Sequence, residues 1–239
     1  KIKPDIVLHL AANNPSFSEN SYNKFFKQNF VATKNIFYST FEANKKAKFI
    51  FCNSSQIFKK KKGTVNESSK VSSTTDYTDF RIKSDLMMQR YKTKNKISYT
   101  NVILFNHDSI YRNKKFIIPR VIDALIKKNS KFLKMIIREN IHGDFSHAED
   151  ICKGLFKIML NKKNFDNIIL SSGKNTSLNK IIYYIIKKYD LKTKIDIKKI
   201  KIKKTLIGNN KFAKQKLKWS PKKDIFLAAS EIYKFQIDK

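Results

Sequence analysis

Short, unbroken apolar runs recur along this chain, separated by longer stretches in which apolar positions follow helical spacing. The clearest runs are Ile6-Val7-Leu8-His9-Leu10, Phe49-Ile50-Phe51-Cys52 and Asn101-Val102-Ile103-Leu104-Phe105. A strand with one wet face alternates apolar and polar residues; these do not, so they read as strands buried on both faces. Elsewhere Phe25, Phe26, Phe30, Ile36 and Phe37, then Leu86 to Met88, then residues 121–126, then Leu178, Ile181, Ile182, Ile185 and Ile186 carry the spacing of helix faces. Buried strands each followed by a helix predict an α/β fold in which the three runs are parallel neighbours of one sheet.

Each run ends abruptly in small or polar residues: Ala11-Ala12, Asn53-Ser54-Ser55-Gln56 and Asn106-His107-Asp108-Ser109. Open parallel sheets bind ligands outside the carboxyl ends of their strands, so these are the first candidates for chemistry. Lys59 to Lys62 followed by Gly63 reads as a solvated turn, and the Ser/Thr/Lys-rich segment up to Thr75 as a loop into the next helix. Residues 127–131 read as a polar turn. His9 reads as a packed strand residue and Trp219 as a packing anchor. Ser146 or Asp150 is placed to cap a helix, with His147 structural beside them.

On that helix Tyr77 and Arg81 stand four residues apart, about 40° round the axis, with the guanidinium one turn beyond the phenol. A cation so placed favours a phenolate, which is how a tyrosine becomes an acid/base catalyst. Taken alone, the pair reads more readily as an ordinary half-exposed helix pair.

The flanking residues favour the first reading. Ser54 with Tyr77-x-x-x-Arg81 resembles the catalytic set of the extended short-chain dehydrogenase/reductases, the NAD-dependent epimerase/dehydratase family. Asn29-Phe30-Val31-Ala32-Thr33 is similar to its Asn-x-x-Gly-Thr helix, and residues 143–151 to its Arg-Asp-Trp-Gly-His-Ala-x-Asp segment. Residues 208–221, with Trp219 and Pro221, resemble its closing motif. Leu104-Phe105-Asn106-His107-Asp108-Ser109, followed by Arg112, Phe116 and Arg120, looks most like the GDP-mannose 4,6-dehydratases. That resemblance implies a Rossmann-like parallel sheet and a small C-terminal substrate-binding region. Residues 1–160 would form the nucleotide-binding part, with residues 106–145 contributing to the substrate side, and residues 161–239 the substrate region. It also implies NADP or NAD as cofactor, held by Ala11, Ala12, Asn29, Tyr77 and Arg81, and a nucleotide sugar such as GDP-mannose, held by Asn106, Ser109, Arg112 and Arg120. Tyr77 would be the base, Ser54 its hydroxyl partner and Arg81 the cation. Gln56 stands where the dehydratases carry the carboxylate of their second step.

Five departures qualify the expected activity. Arginine for lysine at position 81 exchanges a compact ammonium for a planar fork. Gln56 cannot titrate, and Gly143 replaces an expected arginine. The family's diphosphate-gripping segment is reduced to the lysine-rich run of residues 198–204. The Gly-x-x-Gly-x-x-Gly turn that seats a dinucleotide is absent, and none of the 5 glycines is placed to replace it. The chain also begins at Lys1, so an N-terminally truncated Rossmann unit lacking its first βαβ units is expected, inactive alone while its parent binds a nucleotide sugar. A related epimerase or ketosugar reductase, or a catalytically silent basic homologue, remain alternatives.

The net charge of +32 would suit nucleic acid, but the lysines are spread evenly and accompany an excess of Asn, Ile, Phe and Tyr. Nucleic acid is therefore not the expected partner, and attraction of an anionic sugar nucleotide is a better use of the charge. Cys52 and Cys152 lack metal-ligand spacing and read as reduced core residues; no metal site is expected. No run approaches the length of a membrane span. A cytoplasmic protein, with a homo-oligomer allowed, completes the expectation.

Overall fold

A computed structural model describes residues 2–13, 22–193 and 202–238, the side chains of residues 22–25 excepted. The side chain of Phe25 and residues 198–201 of the lysine-rich run therefore lie outside the described residues.

The chain opens with β1 (Ile6–His9) and α1 (Tyr22–Ala43), continues with β2 (Lys48–Ser54), β3 (Gly63–Val65) and α2 (Asp76–Asn95), and then enters β4 (Ser98–Leu104) and β5 (Asn106–Asp108). Two helices, α3 (Ile117–Ile126) and α4 (Ser130–Glu139), precede β6 (His142–Gly143), β7 (Phe145–His147) and α5 (Ala148–Leu160). The remainder is β8 (Asn167–Leu170), β9 (Thr176–Ser177), α6 (Leu178–Lys188), β10 (Leu206–Gly208), α7 (Lys211–Leu217) and α8 (Ile225–Ile237).

The three apolar runs are parallel neighbours, in a sheet ordered β1-β2-β4-β8. Burial on both faces explains their lack of alternation. In β2, Phe49 and Phe51 pack with Phe37, Phe41, Met88 and Tyr99 beneath α1 and α2, whereas Ile50 and Cys52 pack with Ile151, Leu155, Leu217 and Trp219 of the α5/α7 side. Phe37 meets Phe49 edge-on at 5.0 Å. Burying side chains of this size contributes roughly 1.5–3 kcal/mol each. A third cluster joins α3, α4, α6 and α8 into a helical layer beside the sheet. The division expected after residue 160 falls between α5 and β8.

Several elements differ from the sequence reading. Helix α3 starts at Ile117, earlier than expected, because Ile118 and Pro119 are already buried in the helical layer. The polar turn before α4 is present, but Leu133, Ile136 and Ile137 then form a helix against that layer. Inside the expected Lys59–Thr75 loop, β3 pairs in parallel with β10; a three-residue strand with so distant a partner carries no local signal. The cap of α5 is neither Ser146 nor Asp150 but His147, whose Nδ1 accepts the Glu149 N–H at 3.1 Å. Asp150 instead accepts the backbone N–H groups of Lys222 and Lys223, and its carbonyl accepts the Trp219 indole N–H at 2.9 Å. Cys52 is buried as expected, but Cys152 is exposed, on the solvent side of α5. Among the described residues no helix is long and apolar enough to cross a membrane.

Candidate active site

At the carboxyl ends of β1, β2 and β4 lies a cleft of about 360 Å³. Its floor is set by how β2 stops. The Asn53 side chain accepts the Ser54 N–H at 2.8 Å, and Ser54 Oγ accepts the Gln56 N–H at 3.3 Å, turning the chain into a single 3-10 turn at Ser55–Ile57. One wall is the start of α2, fixed by a capping box between Thr75 and Thr78 that places Tyr77 in the first helical turn. The opposite wall is β5, which leaves β4 to pair in parallel with β7.

Seven residues singled out from the sequence line this cleft: Ala12, Ser54, Gln56, Tyr77, Arg81, Asn106 and Arg112. The others lie outside its lining. Ala11 is exposed beyond it. Asn29 is buried beneath the β1 loop, where its side-chain oxygen accepts the Asn13 N–H at 2.7 Å. Ser109 Oγ accepts the Tyr111 N–H at 3.3 Å. Arg120 sits on α3 in a different depression, its guanidinium 4.7 Å from the centre of the Phe132 ring. Asn53 and His107 line the cleft without having been chosen. Their position next to Ser54 and Asn106 was the available signal, but which side chain of a strand end turns inward depends on the bend that follows.

Arg81 is not the half-exposed helix residue that its spacing allowed; it is 7% exposed. Its Nη1 donates to the carbonyl of Cys52 on β2, and its guanidinium lies 5.0 Å from the Tyr77 ring, 4.9 Å from Phe80 and 5.5 Å from Phe51. Three buried donors on residues that line the cleft, Arg81 Nε, Asn53 Nδ2 and Arg112 Nε, have no hydrogen-bond partner among the described residues. An unmet buried donor costs about 1–3 kcal/mol, which a ligand acceptor recovers.

The far wall is electrostatically tense. Asp108 is buried, and burial pushes its carboxyl up to about 6 against the opposing pull of Arg112. Arg112 Nε lies 3.8 Å from Asp108 Oδ1, too long for a hydrogen bond, while its guanidinium covers the Phe116 ring at 3.5 Å. His107 Nδ1 lies 2.8 Å from the Phe105 carbonyl; burial, partly offset by that bond, holds the imidazole below its ordinary value, and Arg112 adds to the effect. Burial raises the Cys52 thiol to about 12. Among the described residues no group of three or more His, Cys, Asp or Glu is arranged to hold a metal ion.

The sequence profile of the family described as GDP-mannose 4,6 dehydratase matches residues 1–231. No curated protein matches the sequence. Solved structures share the fold: RMD from Pseudomonas aeruginosa complexed with NADPH has 13% identity and a TM-score of 0.79, over 98% of this chain and 80% of that one. The dTDP-glucose 4,6-dehydratase of Bacillus anthracis in complex with NAD has 13% identity and a TM-score of 0.78, over 98% and 73%. The UDP-glucuronic acid 4-epimerase of Bacillus cereus in complex with NAD has 19% identity and a TM-score of 0.79, over 98% and 76%.

Proposed function

We propose, for a chain that belongs to the GDP-mannose 4,6 dehydratase family, that the cleft takes a nucleotide sugar beside NADP or NAD and oxidises or reduces the sugar at C4. The observation that carries this is the convergence of Ser54, Tyr77, Arg81, Asn106 and Arg112 on one cleft from four separate segments.

The side chains present fit the reacting end of a nicotinamide cofactor: Asn53 and Arg81, each with a buried donor that no protein group meets, line a cleft together with the small Ala12. Tyr77, Arg81 and the β1 loop would hold that end, and Asn29 would brace the loop. When bound, the cofactor supplies or accepts a hydride. Tyr77 would move the proton of the C4 hydroxyl, and Ser54 would hydrogen-bond the same oxygen. Arg81, fastened to β2, would contribute a fixed positive charge beside the Tyr77 ring. Asn106 and Arg112 would contact the sugar nucleotide, with Arg112 suited to a phosphate or sugar oxygen because its Nε has no partner. The helical layer of α3, α4, α6 and α8 would form the substrate side, a unit discontinuous in sequence.

A second reading is favoured by Gln56 and by the absence of any Asp or Glu among the described residues that line the cleft. A 4-epimerase or a ketosugar reductase needs only the C4 chemistry, whereas dehydration must also move the proton at C5. Titration with GDP-mannose and UDP-sugars, with and without NADP or NAD, followed by product analysis tests both readings. A 4-keto-6-deoxy product supports dehydration, and a C4 epimer or a reduced sugar supports the second reading. Failure to bind any nucleotide sugar discards both.

A further inference from the structure

We propose that His107 is a second acid/base residue of the cleft, whose Nε2 removes the proton on the carbon next to a sugar ketone. This rests on the reading of the cleft as a nucleotide-sugar site and extends it to a residue and a reaction step.

The first argument is the tautomer. A carbonyl oxygen only accepts, so the 2.8 Å contact between Phe105 O and His107 Nδ1 requires the proton on Nδ1. Neutral imidazole then presents a bare lone pair at Nε2. No hydrogen-bond partner for Nε2 is found among the described residues, and Nε2 is not among the buried atoms left unpaired. The second argument is elimination. Among the described residues lining the cleft, the titratable ones are Cys52, Tyr77, His107, Arg81 and Arg112. Guanidinium groups keep their protons, and the Cys52 thiol, pushed up to about 12 by burial, keeps its own. The Gln56 amide does not titrate. Tyr77 and His107 are left as proton-exchanging groups among these residues, and both line the same cleft as Arg112. Burial holds His107 in the neutral form that a base requires.

The step balances without a co-reactant. The C5–H bond of a bound 4-ketosugar breaks and its proton passes to Nε2. The electron pair moves into C5–C4 and on to the ketone oxygen, where the hydroxyls of Ser54 and Tyr77 stabilise the enolate. Return of a proton from the imidazolium restores the ketone, so in heavy water the position exchanges.

The test incubates the protein with GDP-4-keto-6-deoxymannose in heavy water, without added cofactor, and follows deuterium at C5 by NMR alongside calorimetric binding. Wild type is expected to exchange well above protein-free buffer, with His107→Gln slower by about 10²-fold at unchanged affinity. Long-range proton–nitrogen NMR of the wild-type imidazole, assigned with that variant, should show the Nδ1-protonated tautomer and a shift at Nε2 on adding the ketosugar; this readout needs no stable variant. Binding without exchange, exchange lost in Tyr77→Phe but kept in His107→Gln, or an Nε2-protonated tautomer each overturns the proposal and leaves the cleft reading intact. Absence of binding removes the cleft reading and this proposal together.

Discussion

Arg81 donates from its Nη1 to the backbone carbonyl of Cys52, so the cation on the tyrosine helix is tied to the central strand below it. The bond and the three aromatic rings around the guanidinium make Arg81 a structural clamp as well as a charge. Arg81→Ala is expected to lower stability by about 1.5–3 kcal/mol, the range for hydrogen bonds to charged groups. Arg81→Lys, which keeps the charge but not the fork, should recover less than half of the loss. Urea unfolding of the three proteins decides this, and equal stability of Arg81→Lys and wild type would refute the clamp.

Tyr77 is half-buried at the cleft wall, its ring edge-on to Phe80 at 5.6 Å. Tyr77→Phe keeps that contact and is expected to change stability by less than about 0.5 kcal/mol. Turnover of whichever nucleotide sugar proves to be the substrate should fall by about 10²–10⁴-fold, the usual contribution of a general acid/base group. A variant that folds and turns over like wild type would remove the phenol from the mechanism.

Asp85 lies at the opposite end of the sheet, accepting from Tyr99 Oη at 2.7 Å and Asn101 Nδ2 at 3.0 Å, and burial raises its carboxyl to about 6. The unfolded value is about 3.9, so between these limits the native state holds more protons and stability falls as pH rises. His9, held down to about 4 mainly by burial, acts in the opposite sense. The two are separated by comparison with Asp85→Asn. The difference in unfolding free energy, wild type minus variant, should decline by on the order of 2 kcal/mol between about pH 4 and 7 and be flat above. A difference that does not vary with pH would show that Asp85 titrates normally.

His147 caps α5 through Nδ1 and donates from Nε2 to Glu231 on α8 at 2.9 Å, joining the sheet-side helix to the helical layer. His147→Ala is expected to cost about 1–2 kcal/mol, with His147→Asn restoring about 1 kcal/mol through the cap alone. A double-mutant cycle with Glu231→Gln measures the remainder; zero coupling would show that the two residues are merely adjacent.

Gly154 sits inside α5, where alanine would ordinarily improve helix propensity by about 0.8–1.0 kcal/mol. Here an added Cβ would stand 2.8 Å from Leu170 Cδ1 and 3.1 Å from Trp219 Cε2. Overpacking should prevail, and Gly154→Ala is expected to destabilise by about 1–3 kcal/mol in thermal or urea unfolding. A stabilised variant would mean that the α5/α7 side can yield.

The sequence by itself determined three of the four strands of the sheet, the apolar faces of several helices and the strand ends that carry Ser54, Gln56 and Asn106. Burial on both faces erases alternation and helical burial imposes its own spacing, so these features are written in neighbouring residues. Tyr77 was singled out by its four-residue spacing to Arg81 and by the resemblance of the flanking residues, while the capping box that seats it in the first turn appeared only in the structure. Only the tertiary structure decided where Arg81 points, which residue caps α5, that β3 pairs with β10, that Arg120 stands apart from the cleft, and that His107 lines it. Each depends on a partner distant in sequence or on a bend whose direction packing chooses: the Cys52 carbonyl, Glu231, Leu206–Gly208, Phe132, and the departure of β5 from the sheet. Local pattern fixes which residues are buried or exposed, whereas hydrogen-bond partners follow from the closing of the chain on itself.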